Sequence, residues 1–155
     1  MKKLRIYVDT SVFGGCFDDE FSKESNQLFE FIKRKNYILL ISEIIEAEIF
    51  AAPPKVQDIL NNYPKENLEI LPYDKEVESL LNQYIKAGIL SASSINDAAH
   101  VAVATIGDAD LILSWNFRHI VNVMKIREFN AINLTEGYKV IDIRSPNELI
   151  YEEEV

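Results

Sequence analysis

Short apolar runs of strand length alternate with segments of helical periodicity along this chain, and that alternation leaves few folds open. Residues 4–8 (LRIYV) carry the β-branched and aromatic side chains of a short strand. Residues 37–41 (YILLI) form a continuous apolar run, the pattern of a strand buried on both faces. Further runs occur at 68–71, 110–114 and 138–143. Between the first two, Leu28, Phe29 and Ile32 recur at helical spacing within 22–35, with Lys33, Arg34 and Lys35 in the last turn, where cations suit the helix dipole. Ser42 is placed to cap a helix that Pro53 and Pro54 end. Residues 56–63 form another helix, and Asp74 caps one that stops at Gly88. Residues 94–106 are nearly all apolar and predict a buried helix, with a last helix over 120–129. Residues 9–15 (DTSVFGG) read as a loop. The order predicts a three-layer α/β/α sandwich around a mostly parallel central sheet.

A chain of 155 residues, 48% hydrophobic and 26% charged, suits one domain with one core. We assign that domain to residues 1–150 and read 151–155 (YEEEV) as a solvated acidic tail. No apolar stretch is long enough to span a bilayer, and MKKL leads straight into a strand, so a cytoplasmic protein without a membrane partner is expected. The single cysteine, Cys16, lacks a disulfide partner and zinc-site spacing, and reads as a structural thiol. The net charge of −9 argues against a broad basic surface for nucleic acid. It leaves room for carboxylates clustered around a cation, which inverts the local field.

Ligands of parallel sheets collect beyond the carboxyl ends of the strands, and Asp9 stands at such an end, with Ser11 two residues on. The alternative for Asp9 is a simple Asx-turn. On the next helix Glu48 shares a face with Ile44, Ile45 and Ile49, whereas Glu43 and Glu46 read as solvated. Asp97 opens the buried helix; its competing reading is the acid of a capping box with Ser94. His100, one turn on, reads as a hydrogen-bonded core histidine. Acids brought together repel one another unless compensated, and Mg²⁺ or Mn²⁺ accept a few carboxylates with water completing the shell.

Four segments in order, VDTS, S-x-x-I-x-A-E-I, NDAAHVAVA and DADLILSWNFRH, resemble the PIN domain as found in toxin ribonucleases of VapC type. The resemblance covers almost the whole chain. It implies an α/β/α sandwich, Mg²⁺- or Mn²⁺-dependent cleavage of single-stranded or structured RNA, a homodimer, and a small antitoxin partner. The family's acids fall on Asp9, Glu48 and Asp97 as metal ligands. Many relatives carry a further acid where Asn116 stands, so Asn116 is expected as an outer ligand or water-orienting group, and a second metal is in question. Its alternative is a cap on the turn after the strand. Ser11, Arg118 and His119 are the groups nearest the substrate backbone; the plainer reading of the last two is an exposed helix start. Asp110 is a further acid, but at the start of its strand and so at the opposite end of the sheet.

Two rival functions follow from the same residues. A haloacid-dehalogenase-like phosphohydrolase would use Asp9 as a covalent nucleophile, yet needs a second acid where Ser11 stands. A PIN-like protein-interaction module that has lost catalysis would account for Asn116 and the −9 charge.

Overall fold

A computed structural model describes residues 2–151. The apolar runs form five strands, β1 (Arg5–Val8), β2 (Ile38–Ser42), β3 (Leu68–Leu71), β4 (Leu111–Leu113) and β5 (Ile143–Arg144). The helices are α1 (Thr10–Gly15), α2 (Ser22–Arg34), α3 (Glu43–Phe50), α4 (Pro54–Asn61), α5 (Lys75–Lys86), α6 (Ile95–Ile106), α7 (Val123–Thr135) and α8 (Pro146–Ile150). All strand pairs are parallel, in the order β3-β2-β1-β4-β5. Ile6 lies opposite both Leu39 and Leu111, and Val8 opposite Leu113. Ile6, Tyr7, Val8, Leu39, Leu40, Ile41, Ile112 and Leu113 are fully buried, as central strands covered by helices on both faces must be. On one side α2 packs with α1 and α8; on the other α5 packs with α6 and α7.

The chain builds outward from β1 to β3, then returns through α5 and α6 to place β4 on the other flank of β1. The strand order therefore reverses at the β1–β4 pair, and the crevice beyond its carboxyl edge is where a ligand of such a sheet belongs. Asp9 and Ser114 follow the two strands directly.

Three local expectations are corrected. Residues 10–15 are helical rather than a loop: Val12 N donates to Asp9 O at 3.1 Å, and Val12 and Phe13 are fully buried. Burying those two side chains outweighs the cost of two glycines in a short helix. Gly15 is required there, because a Cβ would stand 2.6 Å from Ser25 Oγ and 3.0 Å from Trp115 Nε1. The helix expected over 120–129 begins at Val123 and runs to Thr135. Asn122 caps it by accepting from Met124 N and Lys125 N, while Ile120 N and Val121 N close a turn onto Asn116 O. The strand expected over 138–143 shrinks to Ile143–Arg144. Asn130 of α7 holds Ile141 through both its N–H and its C=O (2.8 and 3.0 Å), taking the backbone groups a ladder would need, and Val140 stays exposed.

Among the described residues no helix is long and apolar enough to cross a membrane. Cys16 is buried, and burial pushes its thiol up to about 11, which suits a structural thiol rather than a nucleophile. Of the acidic segment 151–155, only Tyr151 lies within the described residues; the remainder lies outside them.

Candidate functional site

Asp9 leaves β1 with extended backbone (φ −78, ψ 171) and starts α1, its N–H held by Leu113 O of the neighbouring strand. Its side chain is 4% exposed. Ser11 Oγ donates to Asp9 Oδ1 at 2.5 Å and Ser114 Oγ donates to Oδ2 at 2.8 Å. Both serines are themselves fixed: Trp115 N donates to Ser11 Oγ (3.0 Å) and Asn116 N to Ser114 Oγ (2.9 Å). Burial pushes the Asp9 carboxyl above the usual range; His100 and the two serine hydroxyls oppose this, and the Glu48 charge adds to it. Among the described residues no lysine or arginine pairs with it.

Ser42 ends β2 and accepts from Ile45 N at 3.2 Å, the expected cap of α3. The helix then buries Ile45 and Ile49, leaves Glu43 and Glu46 exposed, and turns Glu48 toward the sheet edge with its side chain 34% exposed. Thr10 Oγ1 (2.9 Å) and His100 Nε2 (2.8 Å) both donate to Glu48 Oε1. Burial pushes the Glu48 carboxyl up, but the hydrogen bonds that His100 and the Thr10 hydroxyl donate to it outweigh this and leave the group below its ordinary value. His100 is 3% exposed, and its Nδ1 lies 2.7 Å from Tyr7 Oη.

Asp97 sits in the first turn of α6, and no side-chain bond caps this helix, so the capping box with Ser94 does not form. Its Oδ2 instead accepts from His119 Nδ1 at 2.9 Å. Asn116 Oδ1 accepts from His119 N at 2.9 Å, closing the turn after β4, so that turn aims the histidine at Asp97. Arg118 on the same turn is exposed and makes no ion pair among the described residues. Asp110 is held by Lys2 Nζ and Arg5 N at the amino end of β1, opposite the others.

The residues expected to act thus fall in two groups along one edge: Asp9, Ser11 and Glu48 in the first, Asp97, Asn116 and His119 in the second. The first group is electrostatically coupled, since the Glu48 charge acts on Asp9. Among the described residues, no three Asp, Glu, His or Cys side chains converge into a ready-made metal cage. Thr10, Ser42, Tyr7 and Ser114 are site residues that sequence reading passed over. Ser114 could have been found by asking which residue follows the strand beside β1.

A hard divalent cation fits the donor chemistry here. Asp9 is a buried acid, coupled to a second carboxylate, whose carboxylate oxygens are hydrogen-bonded, among the described residues, by hydroxyls alone, and such a group gains most from a nearby positive charge.

The sequence matches no protein-family model and no curated protein. Solved structures do match the fold. A chain of VapBC2 from Rickettsia felis, bound to a DNA fragment from their promoter, superposes with a TM-score of 0.60 at 15% identity, covering 92% of this chain and 98% of that one. FitAcB from Neisseria gonorrhoeae gives 0.59 at 15% identity, covering 91% and 97%. FitAB bound to an IR36 DNA fragment gives 0.57 at 15% identity, covering 91% and 94%. The likeness is one of fold. It spans nearly the whole of each chain and agrees with the α/β/α sandwich expected from the sequence.

Proposed function

We propose that this chain is a metal-dependent ribonuclease of PIN type, the toxin of a toxin–antitoxin pair. The observation that carries the reading is Asp9: a carboxylate buried at the strand-order reversal, coupled to Glu48, hydrogen-bonded to two hydroxyls and, among the described residues, paired with no lysine or arginine. A structure gains nothing from burying such an acid in that setting; a cation site does. Asp9 and Glu48 would hold a Mg²⁺ or Mn²⁺ ion directly. Asp97 would complete the site from α6, through water or after leaving His119. The ion supplies Lewis acidity, making water a usable nucleophile near neutral pH and offsetting charge on the phosphate.

The protein's own groups do the rest. Ser11 and Ser114 fix both oxygens of Asp9, so its carboxylate cannot rotate away from the crevice. Asn116, whose side-chain oxygen holds the turn, acts on His119 and through it on Asp97 rather than as a ligand. One cation with a largely aqueous shell suits this arrangement. Arg118, exposed beside that turn, offers a charge to the RNA backbone. The fold shared with the VapBC2 and Fit chains and the VapC-type resemblance of the sequence support a small antitoxin partner; the resemblance alone supports a homodimer.

A second reading, an interaction module without catalysis, is favoured by the engagement of both Asp97 and Asn116 with His119. Incubating the chain, purified free of any partner, with single-stranded and structured RNAs separates the two. Cleavage in Mn²⁺ or Mg²⁺ that stops on adding EDTA supports the nuclease. RNA that stays intact while the cation is bound supports the module.

A further inference from the structure

His100, Tyr7 and Ser42 form a buried polar network that the reaction described above does not use. Tyr7 and Ser42 are fully buried on the adjacent strands β1 and β2, and His100 is 3% exposed on α6. Four contacts link them: Ile45 N to Ser42 Oγ (3.2 Å), Ser42 Oγ to Tyr7 Oη (2.8 Å), Tyr7 Oη to His100 Nδ1 (2.7 Å) and His100 Nε2 to Glu48 Oε1 (2.8 Å).

The two ends set the direction of the chain. Ile45 N–H can only donate, so Ser42 Oγ accepts there, and the Ser42 proton goes to Tyr7 Oη, the other partner of that hydroxyl. An ionised Glu48 can only accept, so His100 donates from Nε2. Tyr7 then gives its proton to His100 Nδ1, and every donor in the chain has an acceptor. Reversing the middle would make Ser42 accept twice and leave its own buried proton unused. The chain starts at Ile45 in the first turn of α3 and ends at Glu48 one turn later, so both ends of the network lie on α3, the helix that follows β2.

The carboxylate end is equally specific. Thr10 and His100 both bind Oε1, and among the described residues no donor reaches Glu48 Oε2. We infer that His100 is a positioning residue which, oriented by the hydroxyls of Tyr7 and Ser42, clamps Glu48 Oε1 so that Oε2 is the oxygen presented to a ligand. The inference rests on the proposed cation site and adds what holds its second ligand in place. The histidine acts through Glu48 and touches no reacting atom.

The test begins with the wild-type chain labelled with ¹⁵N-histidine. The chain has two histidines, and His119→Asn identifies the His100 signals. Long-range ¹H–¹⁵N spectra are expected to show His100 protonated at Nε2 with Nδ1 as an unprotonated acceptor. Tyr7→Phe, which keeps the buried ring, is expected to shift the Nδ1 signal and to weaken Mn²⁺ binding about tenfold or more, the usual loss when a ligand's outer support is removed. A His100 ring protonated at Nδ1, or a Tyr7→Phe chain with unchanged spectrum and unchanged Mn²⁺ affinity, would overturn the inference. Should the wild-type chain bind no Mn²⁺, the cation site falls, and the wild-type spectrum alone decides whether the clamp exists.

Discussion

Replacing Asp9 with asparagine is expected to stabilise the metal-free chain while cutting RNA hydrolysis by about 10²–10³-fold. An amide at this position keeps the shape. Ser11 still donates to one terminal atom, and Ser114 Oγ, already 3.5 Å from Ser11 Oγ, can give its proton there and accept from the new amide. What disappears is a buried charge that burial and Glu48 disfavour. Because folding raises the Asp9 pKa, ionised Asp9 subtracts stability at neutral pH. That penalty is relieved as pH falls through the raised value and is gone below the ordinary 3.8. Asp9→Asn is therefore expected to melt above the wild type near pH 7, and the difference shrinks in acid. Thermal melts from pH 7 to pH 3, run with EDTA beside the cleavage assay, check both halves. A residue kept only for structure would lose stability on substitution.

Glu48→Gln is expected to cost a similar factor in hydrolysis but with the opposite sign in stability. The amide oxygen can still accept from Thr10 and His100, yet the charge that His100 favours is gone. Folding lowers the Glu48 pKa, so its ionised form contributes stability above 4.5, and that contribution is lost as pH falls through the lower folded value. The side chain is 34% exposed, and solvent screening keeps the loss below about 1 kcal/mol at pH 7. Melting curves of wild type and Glu48→Gln should converge in acid. One destabilising and one stabilising acid in the metal-free chain follow from their surroundings: Asp9 meets hydroxyls in the core, and Glu48 meets a histidine at its rim.

Much of this was legible in the sequence because the signals were local. The apolar run at 37–41 and the Ser42 cap placed β2 and α3, and the spacing of Ile45, Glu48 and Ile49 singled out the glutamate that faces inward. Other features depend on groups distant in sequence. The DTSVFGG segment carries loop-forming residues, and it is helical only because Val12 and Phe13 find the core and Gly15 fits beneath Trp115. Ser94 and Asp97 have capping-box spacing, but His119, 22 residues on, takes the carboxylate. The strand expected over 138–143 is consumed by Asn130, whose amide binds Ile141. Asn116, read as a ligand or a cap, holds the turn that aims His119. For the DTSVFGG segment and for Asp97 a partner distant in sequence outcompetes the local preference, and no short window of sequence contains that partner; for Asn116 the local cap, onto the His119 amide three residues on, is what forms.

A divalent cation held by carboxylates from three elements would announce itself on titrating Mn²⁺ into the partner-free chain by calorimetry. A saturable heat is expected in the wild type, lost in Asp9→Asn and clearly weakened in Asp97→Asn, with saturating Mn²⁺ (about a hundred times Kd) stabilising the wild-type fold by about 2.7 kcal/mol. No heat in the wild type, or the same heat after Asp97→Asn, would contradict it.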